Sequence, residues 1–265
     1  MRKHKVRLSG IYLGLVLLFI YLPIGFVAVY SFNESSSTAV WKGFSLKWYQ
    51  ALFQDASMAE ALKNSLLLGV ISCLAAAVIG TMGAMGLIKA NARAKGVMEY
   101  IATLPIMIPE IILGMVFMAF FAVLRLPFGM ATLALAHTAF CVPYILTMVK
   151  ARLAGMDPAL EEAAMDLGAS PARTFFDITL PLVTPAVLSG SLLAFAMSLD
   201  DVVISIFVNG PKINTLPVKV YTQMKFGVTP EINALCTIML AITLLALAGY
   251  SLIRRVRVFD KKKEV

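Results

Sequence analysis

Residues 157–168 read Asp157-Pro158-Ala159-Leu160-Glu161-Glu162-Ala163-Ala164-Met165-Asp166-Leu167-Gly168, a polar insert between two apolar runs at 130–150 and 186–207. Asp157 followed by Pro158 is an N-cap with a first-turn proline, and Gly168 is a C-terminal stop. Between them Leu160, Ala163, Ala164 and Leu167 recur on one face, so the spacing predicts a helix over 158–167, about ten residues or roughly 15 Å long. Ser170 and Pro171 repeat the start signal at once. They predict a second short helix, which Pro181 and Pro185 are expected to end. The insert over 151–185 is therefore a bent helical hairpin held between membrane-length segments. Its stripe has small residues at the centre and can lie close against a surface, while Glu161, Glu162 and Asp166 stand on neighbouring faces, available to basic groups.

Outward from the hairpin the chain is strongly apolar: 60% of its 265 residues are hydrophobic and only 14% charged, far from the balance of soluble domains. Runs of about 20 apolar residues, the length a helix needs to cross about 30 Å of hydrocarbon, fall near 10–32, 61–88, 100–122, 130–150, 186–207 and 231–253. The expected fold class is an all-α membrane protein with six transmembrane helices. A transmembrane β-barrel would alternate apolar and polar residues over about ten positions, and these runs are longer and almost uniformly apolar.

Lysine and arginine resist translocation and collect in cytoplasmic loops. With the N-terminus inside, the inner segments hold Arg2, Lys3, Lys5 and Arg7; Lys89, Arg93 and Lys95; Lys150, Arg152 and Arg173; and Arg254, Arg255, Arg257, Lys261, Lys262 and Lys263. Lys42, Lys47, Lys63, Arg125, Lys212, Lys219 and Lys225 remain for the outside or the outer ends of spans. Both termini of this multi-pass chain are thus expected in the cytoplasm. The net charge of +8 has this topological explanation and does not call for nucleic acid. The first apolar run exceeds a signal peptide's core of about 7 to 15 residues, so it reads as a retained helix. The chain divides into a first helix with its external loop (1–60), a core membrane domain (61–253) and a basic cytoplasmic tail (254–265). In the external loop, Ser45 is placed to cap a short amphipathic helix burying Leu46, Tyr49, Leu52 and Phe53 along the membrane surface. In the second span Gly80, Gly83 and Gly86 make a groove for close approach of another helix.

An ionised carboxylate in a span costs about 2.5–3.5 kcal/mol and faces a cavity or a partner rather than lipid. Glu110 lies about ten residues into the third span, and Asp200 and Asp201 about 14 and 15 residues into the fifth, counting along helices of 1.5 Å rise. All three are candidates to line a path for cations. The alternative is that they pair with Lys63, His137 or a neighbouring helix and hold the bundle together. Pro105 and Pro109 weaken the third helix beside Glu110. Trp48 offers a ring face to a cation or an interfacial anchor. Ser198 offers a hydroxyl to a substrate or back to its own helix. His137 reads as a satisfied intramembrane histidine.

Other function classes lack support in the residues. Only His4 and His137 are present, there is no HExxH and no close Cys/His cluster, and Cys73, Cys141 and Cys236 fall singly in spans, so neither a metal site nor a membrane enzyme is indicated. No G-x-x-x-x-G-K-[ST] loop occurs, so this chain needs no cofactor and any ATP and Mg2+ would be held by another subunit. A secondary transporter would place acids in broken helices but leaves the 151–185 hairpin unexplained.

Glu162-Ala163-Ala164, Gly168, and Ile178-Thr179-Leu180-Pro181 together resemble the EAA signature of ABC importer permease subunits. The likeness extends over the whole chain to the spermidine/putrescine permeases, the second of the two in those systems. It is carried by Tyr30-Ser31-Phe32-Asn33, Lys47-Trp48-Tyr49, Ser198-Leu199-Asp200-Asp201-Val202-Val203, Asn209-Gly210-Pro211 and Thr229-Pro230-Glu231-Ile232-Asn233-Ala234-Leu235. Glu110 departs from that pattern, where an aspartate is expected after the proline. The resemblance implies a type I importer fold whose 158–167 helix couples to an ATPase through Glu161, Glu162, Ala163, Ala164, Asp166 and Gly168. It implies a substrate path or gate at Trp48, Glu110, Ser198, Asp200 and Asp201. It also implies a second homologous permease, a dimer of ATP-binding subunits, an extracytoplasmic binding protein and a polyamine substrate. Related permeases for other small solutes share several of these motifs.

Overall fold

The computed structural model describes residues 2–37, 40–211 and 213–261. Lys212, Lys262 and Lys263, which entered the charge argument, lie outside the described residues. Among the described residues twelve α-helices follow in order: α1 Arg2–Tyr30, α2 Lys47–Gln54, α3 Ala56–Lys89, α4 Ala92–Met107, α5 Glu110–Val123, α6 Met130–Ala154, α7 Ala159–Asp166, α8 Pro171–Thr174, α9 Leu180–Asp200, α10 Val203–Val208, α11 Leu216–Met224 and α12 Pro230–Lys261. The described residues form no β-strand, only an isolated bridge between Asn33 and Phe44. The all-α expectation holds.

Among the described residues four helical stretches are long and apolar enough to cross a membrane: Ser9–Tyr30, Ala56–Lys89, Met130–Ala154 and Pro171–Asp200. Lys95–Met107 and Glu110–Val123 make a fifth only if taken as one broken span, since they are bent by 106°. Pro230–Ala246 is apolar but shorter. The third expected span is therefore not one helix. Pro109 has no N–H to give the ladder and stands extended at φ −53°, ψ 132°, so the helix stops and restarts at Glu110. The fifth expected span also differs: its helix ends at Asp200 and a separate short helix, α10, follows.

Pro181 and Pro185 do not end the second short helix. From Pro171 the chain stays helical through α8, a π-helical turn at Phe175–Thr179, and on into α9. Pro181 then sits in the opening turn of α9, where a missing N–H costs least, and Pro185 lies inside α9 without ending it.

The chain forms two compact units, one of residues up to Ser57 and from Thr222 onward, the other Met58–Tyr221. In the first, α12 packs on α1 and α2. Asn33, wholly buried, organises the loop before α2: its Oδ1 accepts the N–H groups of Ser35 and Lys42 at 3.2 and 3.0 Å, and its Nδ2 donates to Val40 O at 2.8 Å. Ser45 Oγ accepts the N–H of Lys47 at 3.2 Å, but it is not the cap of α2: Leu46 holds the N-cap position, and no side chain caps the helix there. Of the four apolar residues assigned to the buried face of α2, Leu52 is buried and Tyr49 half-buried, whereas Leu46 and Phe53 are exposed.

The second unit is built around α6. Leu133, Ala136, His137, Cys141, Ile145 and Val149 are fully buried along it. Gly80 of α3 and Gly190 of α9 both abut Ile145, and a Cβ at either would come within 3.1 Å of it. Glycine lets the two helices close on α6 from different sides. Gly83 meets Leu146, but Gly86 faces open space, so the glycine groove is used over two of its three expected positions. Burying these side chains stabilises the unit by roughly 1.5–3 kcal/mol for each large apolar residue by water-transfer bookkeeping, less where lipid is the alternative solvent. The apolar stretch of α1 is instead exposed along most of its length, as lipid or partner contact requires.

Candidate functional site

The break between α9 and α10 separates two adjacent acids. Asp200 closes α9 and is exposed, without a hydrogen bond or ion pair among the described residues. Asp201 turns extended, at φ −65° and ψ 121°, and is only 8% exposed. Its carboxylate caps the helix that follows. Oδ1 accepts the N–H of Ile204 at 3.1 Å, and Oδ2 accepts the N–H and the hydroxyl of Ser205 at 2.8 and 2.7 Å. A helix start leaves N–H groups without partners, and an aspartate side chain supplies them.

His137 closes the cluster from α6. Its ring is fully buried, with Nδ1 2.8 Å from Ser198 Oγ and Nε2 3.0 Å from Ser205 Oγ and 3.4 Å from Asp201 Oδ2. His137 is satisfied, as the sequence suggested. Ser198 is buried and meets His137 rather than bonding back to its own helix. The pairing alternative weighed for the three acids describes Asp201, whereas Asp200 points away from this cluster.

Glu110 is the first residue of α5, not a mid-helix residue, because the chain bends at Pro109 just before it. It is exposed and benefits there from the positive end of the helix dipole. Gly114 one turn later would place a Cβ 3.3 Å from Ile204 Cα, so α5 and α10 are in close contact. Glu110, Asp201, Tyr144, Phe140, Pro105 and Met197 line one cavity of about 50 Å3. The structure thus brings together Glu110 and Asp201, and the latter's neighbour Asp200 stands at the same helix break. Tyr144 and Ser205 were not singled out from the sequence. Tyr144 lies two turns along α6 from His137, a spacing that puts both polar groups on one face.

Trp48 belongs to the other compact unit. Its indole N–H donates to Asn33 O at 2.8 Å, and the ammonium of Lys47 lies 4.8 Å from the ring centroid. A cation therefore already occupies one face of this ring.

The 151–185 hairpin begins as expected. Asp157 Oδ1 accepts the N–H of Ala159 at 3.0 Å, and Gly168, at φ +87°, ends α7 in the left-handed region. Gly168 N–H donates to Met165 O at 2.9 Å and Ala169 N–H to Ala164 O at 3.0 Å, the paired bonds of a Schellman stop. Ser170 Oγ accepts the N–H of Arg173 at 3.3 Å and starts α8. No residue of α7 is buried. Glu161 is turned inward, its Oε1 accepting the hydroxyl of Thr179 at 2.6 Å, and it lines with Lys89 and Met156 a cavity of about 120 Å3. Ala164 is half-buried on the same side. Leu160, Glu162, Ala163, Asp166 and Leu167 are exposed, Leu167 at 90%, so three of the four stripe residues face outward. The hairpin's arms are tied at its base by Arg152 Nε donating to Leu182 O at 3.0 Å, and α4 is tied to α6 by the Lys150–Glu99 ion pair.

Comparison with known proteins agrees with this architecture. The chain is 42% identical over 229 residues to the putrescine transport system permease protein PotI of Escherichia coli K12, covering 84% of this chain and 82% of that one. It is 38% identical over 256 residues to the spermidine/putrescine transport system permease protein PotC of the same strain, covering 97% and 96%. Among solved structures it resembles a bacterial ABC transporter involved in import of the acidic polysaccharide alginate, with a TM-score of 0.72, 14% identity and coverage of 96% and 98%. It also resembles the MetNI methionine ABC transporter, with a TM-score of 0.61, 20% identity and coverage of 76% and 95%. These two likenesses show a shared fold. The profile of the binding-protein-dependent transport system inner membrane component matches residues 76–263, and the chain belongs to that family.

Proposed function

We propose that this chain is a permease subunit of an ATP-driven importer of polyamines, working with a second permease, two ATP-binding subunits and an extracytoplasmic binding protein. The observation that carries the substrate class is the near full-length similarity to permeases for putrescine and spermidine. Chemistry supports it. A polyamine carries two or more ammonium groups, each costly to strip of water unless a carboxylate compensates. Asp200 and Glu110 are exposed carboxylates, each at a helix break where backbone groups as well as side chains meet a cavity or a partner.

On this reading six segments cross a bacterial inner membrane, the bent α4–α5 pair counting as one and α12 as the last, with both termini cytoplasmic. Its exposed apolar knobs and carboxylates fit α7 to dock on an ATP-binding subunit through Glu162, Ala163, Asp166 and Leu167, with Glu161 bracing it from behind and Gly168 ending it. ATP and Mg2+ belong to that partner. Substrate moves from the binding protein to a path lined by Asp200 and Glu110 when the ATPases close, and inward after hydrolysis.

The complex encoded with this chain, reconstituted in proteoliposomes with ATP inside and binding protein outside, should take up labelled putrescine or spermidine. Unlabelled polyamines should compete and amino acids and sugars should not. Uptake of neutral solutes alone, or polyamine uptake that persists without ATP, would overturn the assignment.

A further inference from the structure

We propose that His137 is a positioning residue for transport, a clamp that holds the α9–α10 break in shape and thereby fixes Asp200 where the substrate meets it. This rests on the importer reading and adds a residue to it.

The hydrogen bonds connect in one chain. Ser205 Oγ–H donates to Asp201 Oδ2 at 2.7 Å, which uses its only proton. Ser205 Oγ then accepts from His137 Nε2–H at 3.0 Å. On the other side of the ring Nδ1 lies 2.8 Å from Ser198 Oγ. The chain links Ser198, His137, Ser205 and Asp201, with the carboxylate at its end. All four residues are buried to 8% exposure or less.

Its placement matters more than its strength. Ser198 is on α9, two residues before Asp200; Ser205 is on α10; and the break lies between them. One ring on α6 therefore grips both sides of an interruption that contains neither proline nor glycine. The helical run is interrupted between Asp200 and Val203, and the Asp201 carboxylate takes the N–H groups of Ile204 and Ser205 there, so side chains help set the angle of the break. α6 and α9 are also the two arms that enter and leave the 151–185 hairpin, tied again at the base by Arg152 and Leu182. The clamp sits at the far end of the same pair of helices.

The test uses the whole transporter in proteoliposomes and measures KM and maximal rate for putrescine and spermidine in wild type, His137→Phe, His137→Asn, His137→Gln and Asp200→Asn, with assembly followed by copurification and basal ATPase activity. An asparagine amide reaches the place of Nδ1 and keeps only the Ser198 link; a glutamine amide reaches the place of Nε2 and keeps only the Ser205 link. Phenylalanine should raise KM about tenfold, the equivalent of about 1.4 kcal/mol and the scale of one buried hydrogen bond. Glutamine and asparagine, each holding one side of the break, should both fall between phenylalanine and wild type, at roughly threefold above wild type on the same scale. In the Asp200→Asn background, His137→Phe should add little to KM, because it acts through Asp200. If His137→Phe does not assemble, the glutamine and asparagine variants carry the same comparison. A wild-type KM in either amide variant, a KM unchanged in all of them, or full additivity with Asp200→Asn would overturn the clamp. If Asp200→Asn itself transported like wild type, the acidic path would fall and the clamp with it; an impaired Asp200→Asn with additive His137 effects would refute the clamp alone.

Discussion

Asp201→Asn and Asp200→Asn make the same chemical change one residue apart, and the structure gives them different consequences. At Asp201 the amide keeps one oxygen. The other becomes an NH2 group, which meets either the Ile204 N–H or the Ser205 N–H, donor against donor, and in the second case the Ser205 hydroxyl also loses its carboxylate acceptor. Flipping the amide to spare Ser205 sacrifices Ile204, so at least one buried donor loses its acceptor in either orientation. One unsatisfied buried donor costs about 1–3 kcal/mol, and the charge-assisted bonds that remain weaken to neutral ones, giving a total near 3 kcal/mol. At about 2–4 °C per kcal/mol for a chain of this size, the thermal midpoint of the purified complex should fall by roughly 6–12 °C. Asp200 has no such bonds, and its amide should leave the midpoint within about 2 °C. Uptake should respond in the opposite sense to stability: Asp200→Asn should raise KM for polyamine in a fully stable complex. Thermal unfolding followed by size-exclusion chromatography, run beside proteoliposome uptake, separates the two. Equal midpoints for the two variants would refute the assignment of Asp201 as the cap of α10.

The remaining expectations concern the hairpin and the packing around α6. Ala163→Trp and Glu162→Lys, both on the exposed side of α7, should lower uptake and substrate-stimulated ATPase activity together without changing membrane insertion; normal values for both activities would remove α7 from the coupling role. Glu161→Ala deletes the Thr179 bond, worth about 1 kcal/mol, and should lower the thermal midpoint by a few degrees where Glu162→Ala does not. Gly168→Val forces a β-branched residue to φ +87° at a cost of about 1–2 kcal/mol, read as the same kind of midpoint loss. Gly80→Val and Gly190→Val should each destabilise by about 1–3 kcal/mol through overpacking against Ile145, whereas Gly86→Ala should be neutral or slightly stabilising; equal effects at all three glycines would contradict the helix approach described.

What the sequence made legible is what its local chemistry controls. Asp157, Gly168, Ser170 and Pro171 act within a turn of their own positions, and each does in the structure what its residue type favours. The α4–α5 bend was half legible: Pro109 is a breaker, but hydropathy alone fuses the segments on either side. Pro181 and Pro185 misled, because Pro181 falls in the opening turn of α9, just after a π-helical turn that no residue type announces, and α9 carries Pro185 in its interior. The α9–α10 break was invisible. Its residues, Asp200-Asp201-Val202, contain no breaker, and the partner that satisfies the break is His137, 61 residues before Ser198. An unbroken helix and a broken one have the same composition there; the choice is made by a buried ring on another helix.

The break is also what allows adjacent acids to differ. In a continuous helix Asp200 and Asp201 would point about 100° apart with every backbone N–H already bonded, so neither carboxylate would find partners in its own chain. Ending α9 at Asp200 and starting α10 at Val203 exposes new N–H groups just beyond Asp201, and that carboxylate turns inward to take them. Its charge is thereby matched by fixed dipoles and by the polar wire from His137. Asp200 receives none of this and keeps its charge unmatched at the protein surface. Glu110 is intermediate, since the N-terminal end of α5 offsets part of its charge. On the importer reading an ammonium group entering the path is therefore drawn first to Asp200, then to Glu110, and least to Asp201, although the sequence writes the two aspartates side by side.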